Sequence, residues 1–590
     1  MPEFIPFEDT RRLTGFNLYF RDVGAALETR GPVPDEVSLQ AWGTAVQRAS
    51  VTLGWPLSER VVRRHPGGAS LAFVAPLDQL FSATEVNEWA WTGAYEAAHG
   101  PLAARWHAPG YPAVWDEDAA MQTLRAFAAA ERQPPLAALA RAAEQRGLPV
   151  LIDDEQLSIG AGDGAVCWPI AQLPSPDTLA WSALHTVPVA LVTGSNGKTT
   201  TVRLLAAMAQ AHGWRTGHSC TDGVFIDGRV TEGGDFSGPA GARAVLRAAG
   251  VQLAILETAR GGLLRRGLAV QQAQVAVVTN VSDDHFGEYG IHDLAGLAAV
   301  KLTLAKAIDD TGLLVLNADD AWLVAQSDQL SCPIGWFALD DTQPRLQAAR
   351  EHGGVTCAVR DGSLRLSFGG QLHDLGAVTA MPLSFGGRAA YNIANMAAAS
   401  LAAAMLGIPA AAIAATLSSF GSRHADNPGR LQHWQFGSLQ VFVDYAHNPD
   451  GLRGLLEVAT GRSTDGRLGL LLGQAGNREA PAIRELAAVA ARFQPSRVML
   501  KDIEGFMRGR EPGEVAGILR EQLQGDGVPR ADIENCLDEV AAVRSLLAWA
   551  HAGDVLVLPT HGLGAREQVS ELLDALQVQG WRTGTPLPPI

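Results

Sequence analysis

Cysteine is scarce: the 590 residues hold five, Cys167, Cys220, Cys332, Cys357 and Cys536, with no CxxC pair among them. An odd number spread so widely supports neither a disulfide framework nor a zinc site, and fits a reducing cytoplasm. Positive charge is in deficit, with 46 Lys and Arg against 62 Asp and Glu, a net charge of −16 and a pI near 5.4. A protein that binds nucleic acid without regard to sequence is normally basic, so nucleic acid is not an expected partner. Strongly apolar runs are missing as well. Residues 392–417 carry no charge, but they are rich in alanine and are broken at Gly407–Pro409. A membrane span needs about 20 strongly apolar residues, so two short packed helices are expected there and no membrane segment. The N-terminal stretch MPEFIPFEDTRR is acidic and interrupted by proline, unlike a secretory signal. No fixed-period repeat and no low-complexity tract is present.

What is there is ordinary globular composition, 47% hydrophobic and 18% charged. The length suggests three or four domains of roughly 150–200 residues. Residues 1–175 read as a first α+β unit, rich in Trp and Arg, with the Ala-rich helical stretch LAALARAAEQRG and an exit linker LPSPDTLAWSALHT. From Val187 short β-rich runs alternate with helical stretches: VPVALVTG, VQLAILET, VAVVTNV and GLLVLNADD, then GSLQVFVDYAHNPDG, RLGLLLGQAG, SRVMLKD and GDVLVLPT. That alternation predicts α/β architecture, parallel sheets covered by helices on both faces. The expected divisions are 1–175, 176–425 and 426–590.

The most informative stretch is TGSNGKTTT, Thr193 to Thr201, directly after an apolar strand. It has the Gly-Lys-Thr core of a phosphate loop but is not a regular Walker A, which would need glycine where Val192 stands. Gly194 and Gly197 let several N–H groups face one point, and the helix that follows adds its positive end. Lys198 supplies a point charge for the β- and γ-phosphates of ATP, and Thr199 a hydroxyl for Mg²⁺; Asn196 and Thr200 belong to the same loop. Magnesium needs further oxygen ligands. Glu257 closes one strand, and Asn280, Asp283, Asp284 and His285 follow another. In a doubly wound sheet, ligands gather at the carboxyl ends of strands, where all these segments end. The motif ARGGLLRRG carries Arg260, Arg265 and Arg266, and guanidinium suits a carboxylate, so this segment reads either as a contact for an acidic substrate or as a solvated loop. A second basic cluster, Arg60, Arg63 and Arg64, reads either as a holder of an acidic polymer or, as charge runs more often are, a solvated face.

The phosphate loop together with SDDH after a strand resembles the Mur ligase and folylpolyglutamate synthetase superfamily, whose members make an amide from a carboxylate, an amine and ATP. The segments GSNGKTTTVRLLA, TDGVFIDG, LETARGGLLRRGL, NVSDDHFGEYGI, LNADD, NPGRL, DYAHNPDGL and RGREPGE are similar to the Mur-like half of cyanophycin synthetase. They run from about residue 187 to 560. The resemblance implies a P-loop central domain and a Rossmann-like C-terminal domain. It implies that Glu257 and His285 support Mg²⁺ and that Lys301 lies where many Mur enzymes carry a carbamylated lysine on a second Mg²⁺. It assigns Asn392 and Asn395 to the adenine, and Arg430, Asp444 and His447 to the C-terminal part of the nucleotide site. TRRLTGFNLYF resembles the opening of the cyanophycin synthetase N-terminal domain, but the ATP-grasp domain that separates the two halves in that family has no counterpart here.

By that analogy the chain is expected to be a cytoplasmic ATP- and Mg²⁺-dependent carboxylate–amine ligase. It would work through an acyl phosphate on a small-molecule or short peptide acid and join an amino acid such as arginine to an aspartyl side chain; a homo-oligomer is compatible. Lys198, Glu257, His285 and Lys301 would be its catalytic residues. Three alternatives stand beside it: a silent Mur-like scaffold subunit, a Mur-type ligase for another acid and amine, and a motor or transport P-loop ATPase.

Overall fold

The structure, a computed structural model, describes residues 4–56, 59–114, 116–283, 286–461 and 466–588. The N-terminal part holds β1 (Phe7–Leu13), β2 (Gly24–Thr29), α1 (Glu36–Leu53), β3 (Arg60–His65), β4 (Gly68–Val74), α2 (Leu80–His99), α3 (Glu117–Glu131) and α4 (Pro134–Glu144). Its antiparallel sheet runs β1-β2-β4-β3, with α1 and α2 packed on the Trp42, Phe73 and Trp91 core. A separate three-stranded sheet follows, β5 (Val150–Ile152), β6 (Gln156–Ile159) and β7 (Val166–Pro169), inside the expected first unit and just before its exit linker.

The central part holds β8 (Val189–Thr193), α5 (Lys198–Ala211), β9 (Thr216–Cys220), β10 (Gly223–Ile226), β11 (Arg229–Gly233), α6 (Pro239–Arg247), β12 (Leu253–Glu257), α7 (Arg260–Arg266), β13 (Val275–Val278) and α8 (Leu294–Lys301). It continues through β14 (Leu313–Asn317), α9 (Ala321–Ser327), β15 (Ile334–Phe337), α10 (Pro344–Glu351), β16 (Thr356–Arg360), β17 (Ser363–Phe368), β18 (Gln371–Ala377), α11 (Ala390–Met405) and α12 (Ala410–Leu417). The sheet order is β11-β10-β9-β12-β8-β13-β14-β15-β16-β17-β18, parallel from β9 to β16 and closed at both ends by antiparallel strands. The central parallel strands β12, β8, β13 and β14 are almost entirely apolar because both faces are covered, whereas β9 is Thr-Gly-His-Ser-Cys. One face packs on α6 to α9, the other on α5, α11 and α12. The alanine-rich uncharged run is two helices, α11 and α12, and among the described residues no helix is long and apolar enough to cross a membrane. Alanine lets α11 lie close to α5 and the sheet, so its uncharged surface is core.

The C-terminal part holds β19 (Gln432–Phe436), β20 (Leu439–Asp444), α13 (Pro449–Thr460), β21 (Leu468–Leu472), α14 (Ala480–Arg492), β22 (Arg497–Leu500), α15 (Glu514–Gly525), β23 (Ile533–Asn535), α16 (Glu539–Trp549), β24 (Val555–Pro559) and α17 (Leu563–Val578). Its sheet runs β19-β20-β24-β21-β22-β23, with β19 alone antiparallel to its neighbour.

The N-terminal part is docked through backbone groups. Arg11 donates to Leu264 O (2.8 Å), Thr14 N to Arg266 O (2.8 Å) and Leu268 N to Phe16 O (2.7 Å). Arg63 donates to Gly290 O at 2.7 Å, Arg64 pairs with Glu36 and Arg60 donates to Gly43 O, so that basic cluster is engaged within the fold.

Candidate active site

The phosphate loop joins β8 to α5. Gly194 (φ 152°) and Gly197 (φ 85°) have backbone angles that side chains rarely adopt. A Cβ on Gly194 would stand 1.8 Å from Thr279 Oγ1, and one on Gly197 would stand 2.2 Å from Asn395 Oδ1. The loop is clamped from β13's exit as well: Asn196 N donates to Asn280 Oδ1 (2.9 Å), and Asn280 Nδ2 donates back to Asn196 O (3.1 Å). Lys198 Nζ folds over the loop onto the carbonyls of Gly194 and Ser195, both at 3.1 Å.

Glu257, at the end of β12, is 1% exposed and accepts from Thr199 Oγ1 (2.8 Å) and Thr221 Oγ1 (2.9 Å). Burial pushes its carboxyl above the ordinary range, more than Lys198, Thr199 and Thr221 pull it down. A buried carboxylate beside a loop hydroxyl is the donor set expected for Mg²⁺, whose charge would relieve the desolvation. Lys301 ends α8, is 1% exposed and lines a cavity together with Glu257 and Lys198. His285 and Asp284 lie outside the described residues; Asp283 is described and exposed.

Two cavities meet at this point. The first, about 390 Å³, is lined by Asn196 to Thr200, Asn280, Asn392, Asn395, Arg430, Asp444 and His447. Asn392 and Asn395 lie on α11, both buried, the first donating to Leu383 O and the second to Asn392 Oδ1. Asp444, at the end of β20, accepts from Leu431 N at 2.6 Å. His447 Nδ1 lies 3.3 Å from Tyr445 O, and Asn448 reaches from the same turn to Asn196 Oδ1 at 2.9 Å. The C-terminal part thus touches the phosphate loop directly.

The second cavity, about 970 Å³, is walled by all three parts: Glu8 and Asp9 from β1, Arg243, Arg260, Arg265 and Arg266 from α6 and α7, and Arg478 and Arg508 from the C-terminal part. Lys198, Thr221, Glu257, Tyr445 and His447 line both cavities. Arg260 is buried and pairs with Glu288. Arg265 donates to Gly261 O, Arg266 to the carbonyls of Arg12 and Arg265, and neither has a carboxylate partner among the described residues. Burial, then the neighbouring Arg12, lowers the Arg266 guanidinium's pKa. An anion in the cavity would answer both.

Reading the sequence missed two clusters. Asp222, buried, is the shared partner of Arg203 (2.6 Å), Arg566 (2.5 Å) and Arg430 (3.8 Å). Burial raises its pKa, but Arg430, Arg203 and Arg566 outweigh that and hold the carboxyl far below its ordinary range. Arg430 and Arg566 also sit over the Tyr445 ring, at 4.3 and 5.0 Å. The second cluster is Lys501, Glu539 and His561, all buried in the C-terminal part. A signal for it was available: the whole chain has four lysines, Lys198, Lys301, Lys306 and Lys501, among its 46 basic residues. Where arginine serves nearly everywhere, a retained lysine marks a place that needs a narrow, compact cation.

Comparison with known proteins gives two family matches, the Mur ligase middle domain over residues 192–403 and the Mur ligase glutamate ligase domain over residues 429–560. The cyanophycin synthetase of Synechocystis sp. is 33% identical over 394 residues, covering 67% of this chain and 44% of that protein. The UDP-N-acetylmuramoyl-L-alanyl-D-glutamate–2,6-diaminopimelate ligase of Gloeobacter violaceus is 32% identical over 389 residues, 63% of this chain and 71% of that one. Among solved structures, E. coli FolC in complex with DHPP and ADP aligns at a TM-score of 0.48 and 19% identity, over 66% of this chain and 89% of that one. The chain spans less than half the length of the cyanophycin synthetases it matches.

Proposed function

The chain belongs to the Mur ligase family of ATP-dependent acid–amino-acid ligases, and from that premise we propose that it joins arginine or a related amino acid to the side-chain carboxylate of an aspartyl acceptor. The observation that carries this reading is the meeting of two cavities at Lys198 and Glu257, one beside the phosphate loop and one lined by arginines. ATP occupies the first, its phosphates on the loop's N–H groups and Lys198, its adenine toward Asn392 and Asn395. The acceptor occupies the second, its free carboxylates toward Arg265 and Arg266, with Arg243 beside them.

An acceptor carboxylate oxygen attacks the γ-phosphorus, and the bond to the β-phosphate oxygen breaks, leaving ADP and an acyl phosphate. The neutral amine then attacks the acyl carbon, phosphate leaves, and the amine's proton is lost as the amide forms. No protein nucleophile is required; positioning and neutralisation of charge by Lys198 carry the step. Magnesium, held by Thr199 and Glu257 with Lys301 close by, would supply charge neutralisation on the phosphates. The family's use of ATP and a divalent metal supports this assignment.

A second reading, a Mur-type ligase for another acid and amine, draws on the match to 71% of the diaminopimelate ligase. ADP release across a panel of acids and amines, with product masses, tests both. Arginine with aspartyl peptides giving the largest kcat/KM supports the first; another pair winning by tenfold or more discards arginine and keeps the chemistry.

A further inference from the structure

Lys501, at the exit of β22, is 0% exposed, and its ammonium pairs with Glu539 of α16. It also lies 3.0 Å from His561 Nδ1. His561 Nε2 in turn lies 3.1 Å from the carbonyl of Ala446. Burial lowers the Lys501 pKa and the paired Glu539 carboxylate opposes that; with the lysine held as an ammonium by Glu539, these partners leave one protonation state. An ammonium can only donate, so Nδ1 must accept; a carbonyl can only accept, so Nε2 must carry the proton. Burial, and then the charge of Lys501, keep the imidazole neutral. Both Glu539 oxygens are held as well, by His561 N (2.8 Å) and Gly562 N (2.9 Å). Gly473 makes room for the lysine: a Cβ there would stand 2.7 Å from Lys501 Cγ.

Ala446 sits between Tyr445 and His447, the two C-terminal residues that line both cavities. We propose that Lys501 is a positioning residue for the ligation reaction: by donating to His561 Nδ1 it fixes the imidazole proton on Nε2, and that proton holds the Ala446 carbonyl and with it the Tyr445–His447 turn. The catalytic consequence rests on the ligase reading above; the protonation state does not.

The sign of the pH effect follows from the groups around His561: Lys501 just after β22, Glu539 from α16, Tyr445 and His447 from the turn, and Arg566 from α17. In Lys501→Met, Glu539 keeps its two backbone donors but loses its counter-charge, and from 4.0 Å its carboxylate draws the proton to Nδ1. At low pH the doubly protonated ring still donates from Nε2, so the turn is held. As pH rises through the ring's pKa, the remaining proton stays on Nδ1, and a bare Nε2 faces the Ala446 oxygen. Lys501→Met therefore loses kcat/KM with rising pH, by about tenfold between pH 6 and 9 relative to wild type, the cost of one lost hydrogen bond. Glu539→Gln in the Lys501→Met background removes the pull on Nδ1 and restores at least part of the alkaline activity. A packing role alone would make the double variant worse.

The test is the pH profile of kcat/KM for wild type, Lys501→Met and Lys501→Met/Glu539→Gln, with ADP release as readout. Beside it, wild-type protein carrying ring-¹⁵N histidine is titrated, the His561 signals assigned by their absence in His561→Gln. An alkaline loss confined to Lys501→Met, its partial rescue in the double variant, and a wild-type His561 that stays neutral with the proton on Nε2 from pH 6 to 9 are expected. Parallel profiles for the three proteins would overturn the catalytic role. A wild-type His561 that titrates in this range, or carries its proton on Nδ1, would overturn the assignment whether or not the variants fold.

Discussion

Replacing Glu257 with glutamine separates a functional carboxylate from a structural one, because the two roles move stability in opposite directions. Glu257 is buried, and its pKa is raised, chiefly by desolvation. A carboxyl whose folded pKa lies above its unfolded one binds its proton more tightly when folded. Its ionisation therefore costs stability at pH values above the ordinary carboxyl range, and the cost disappears as pH falls below that range. Glutamine keeps the shape and can still exchange hydrogen bonds with Thr199 and Thr221, since hydroxyls both donate and accept. The nucleotide-free Glu257→Gln protein should then be as stable as wild type at pH 7, or more stable by about 1 kcal/mol. Turnover should move the other way. Losing one preorganised electrostatic group at a phosphoryl-transfer site costs on the order of 10²–10³ in kcat, or about 3–4 kcal/mol. Thermal unfolding without nucleotide and ADP release with saturating Mg²⁺ measure the two effects. A variant that falls in midpoint by several degrees, or one that keeps wild-type turnover, would refute the reasoning.

Lys198→Ala should abolish ATP turnover, by more than about 10³-fold, with the fold retained in circular dichroism; near-wild-type ADP formation by the folded variant would end the phosphate-site assignment. Asp222→Asn removes the one carboxylate shared by Arg203, Arg430 and Arg566 and leaves buried guanidiniums uncompensated, a loss of about 3 kcal/mol. The central and C-terminal parts should separate more readily, seen as a larger radius of gyration in solution scattering and faster proteolysis near 420–430; unchanged values would show that Asp222 does not latch them.

The sequence made the parallel α/β plan legible because its strands are short apolar runs that end in polar residues, each starting within a residue or two of an observed strand. The loop between β8 and α5, the place of Glu257 at a strand end and the helix break at Gly407–Pro409 were equally readable, since their signals are local. The sheet β5–β7 was not, because its strands are three or four residues long and carry no sustained alternation. The Asp222 cluster was hidden for a different reason. Its members come from positions 203, 222, 430 and 566, and nothing in a run of arginines tells which one will be buried against a distant aspartate. Arg60, Arg63 and Arg64, which read either as a holder of an acidic polymer or more often as a solvated face, donate to the carbonyls of Gly43 and Gly290 and pair with the exposed Glu36.

The central claim is that one phosphate site activates one kind of carboxylate, so that each turnover makes one amide. A site preorganised for a side-chain carboxylate holds a backbone carboxylate out of line, and misplacement by an ångström can cost about 100-fold in rate. Purified protein incubated with ATP, Mg²⁺, arginine and short aspartyl peptides, followed by mass spectrometry and ADP quantitation, measures this directly. The expected product gains one arginine per free side-chain carboxylate, with one ATP consumed per bond; a ladder of products growing by whole aspartyl–arginine units would contradict it.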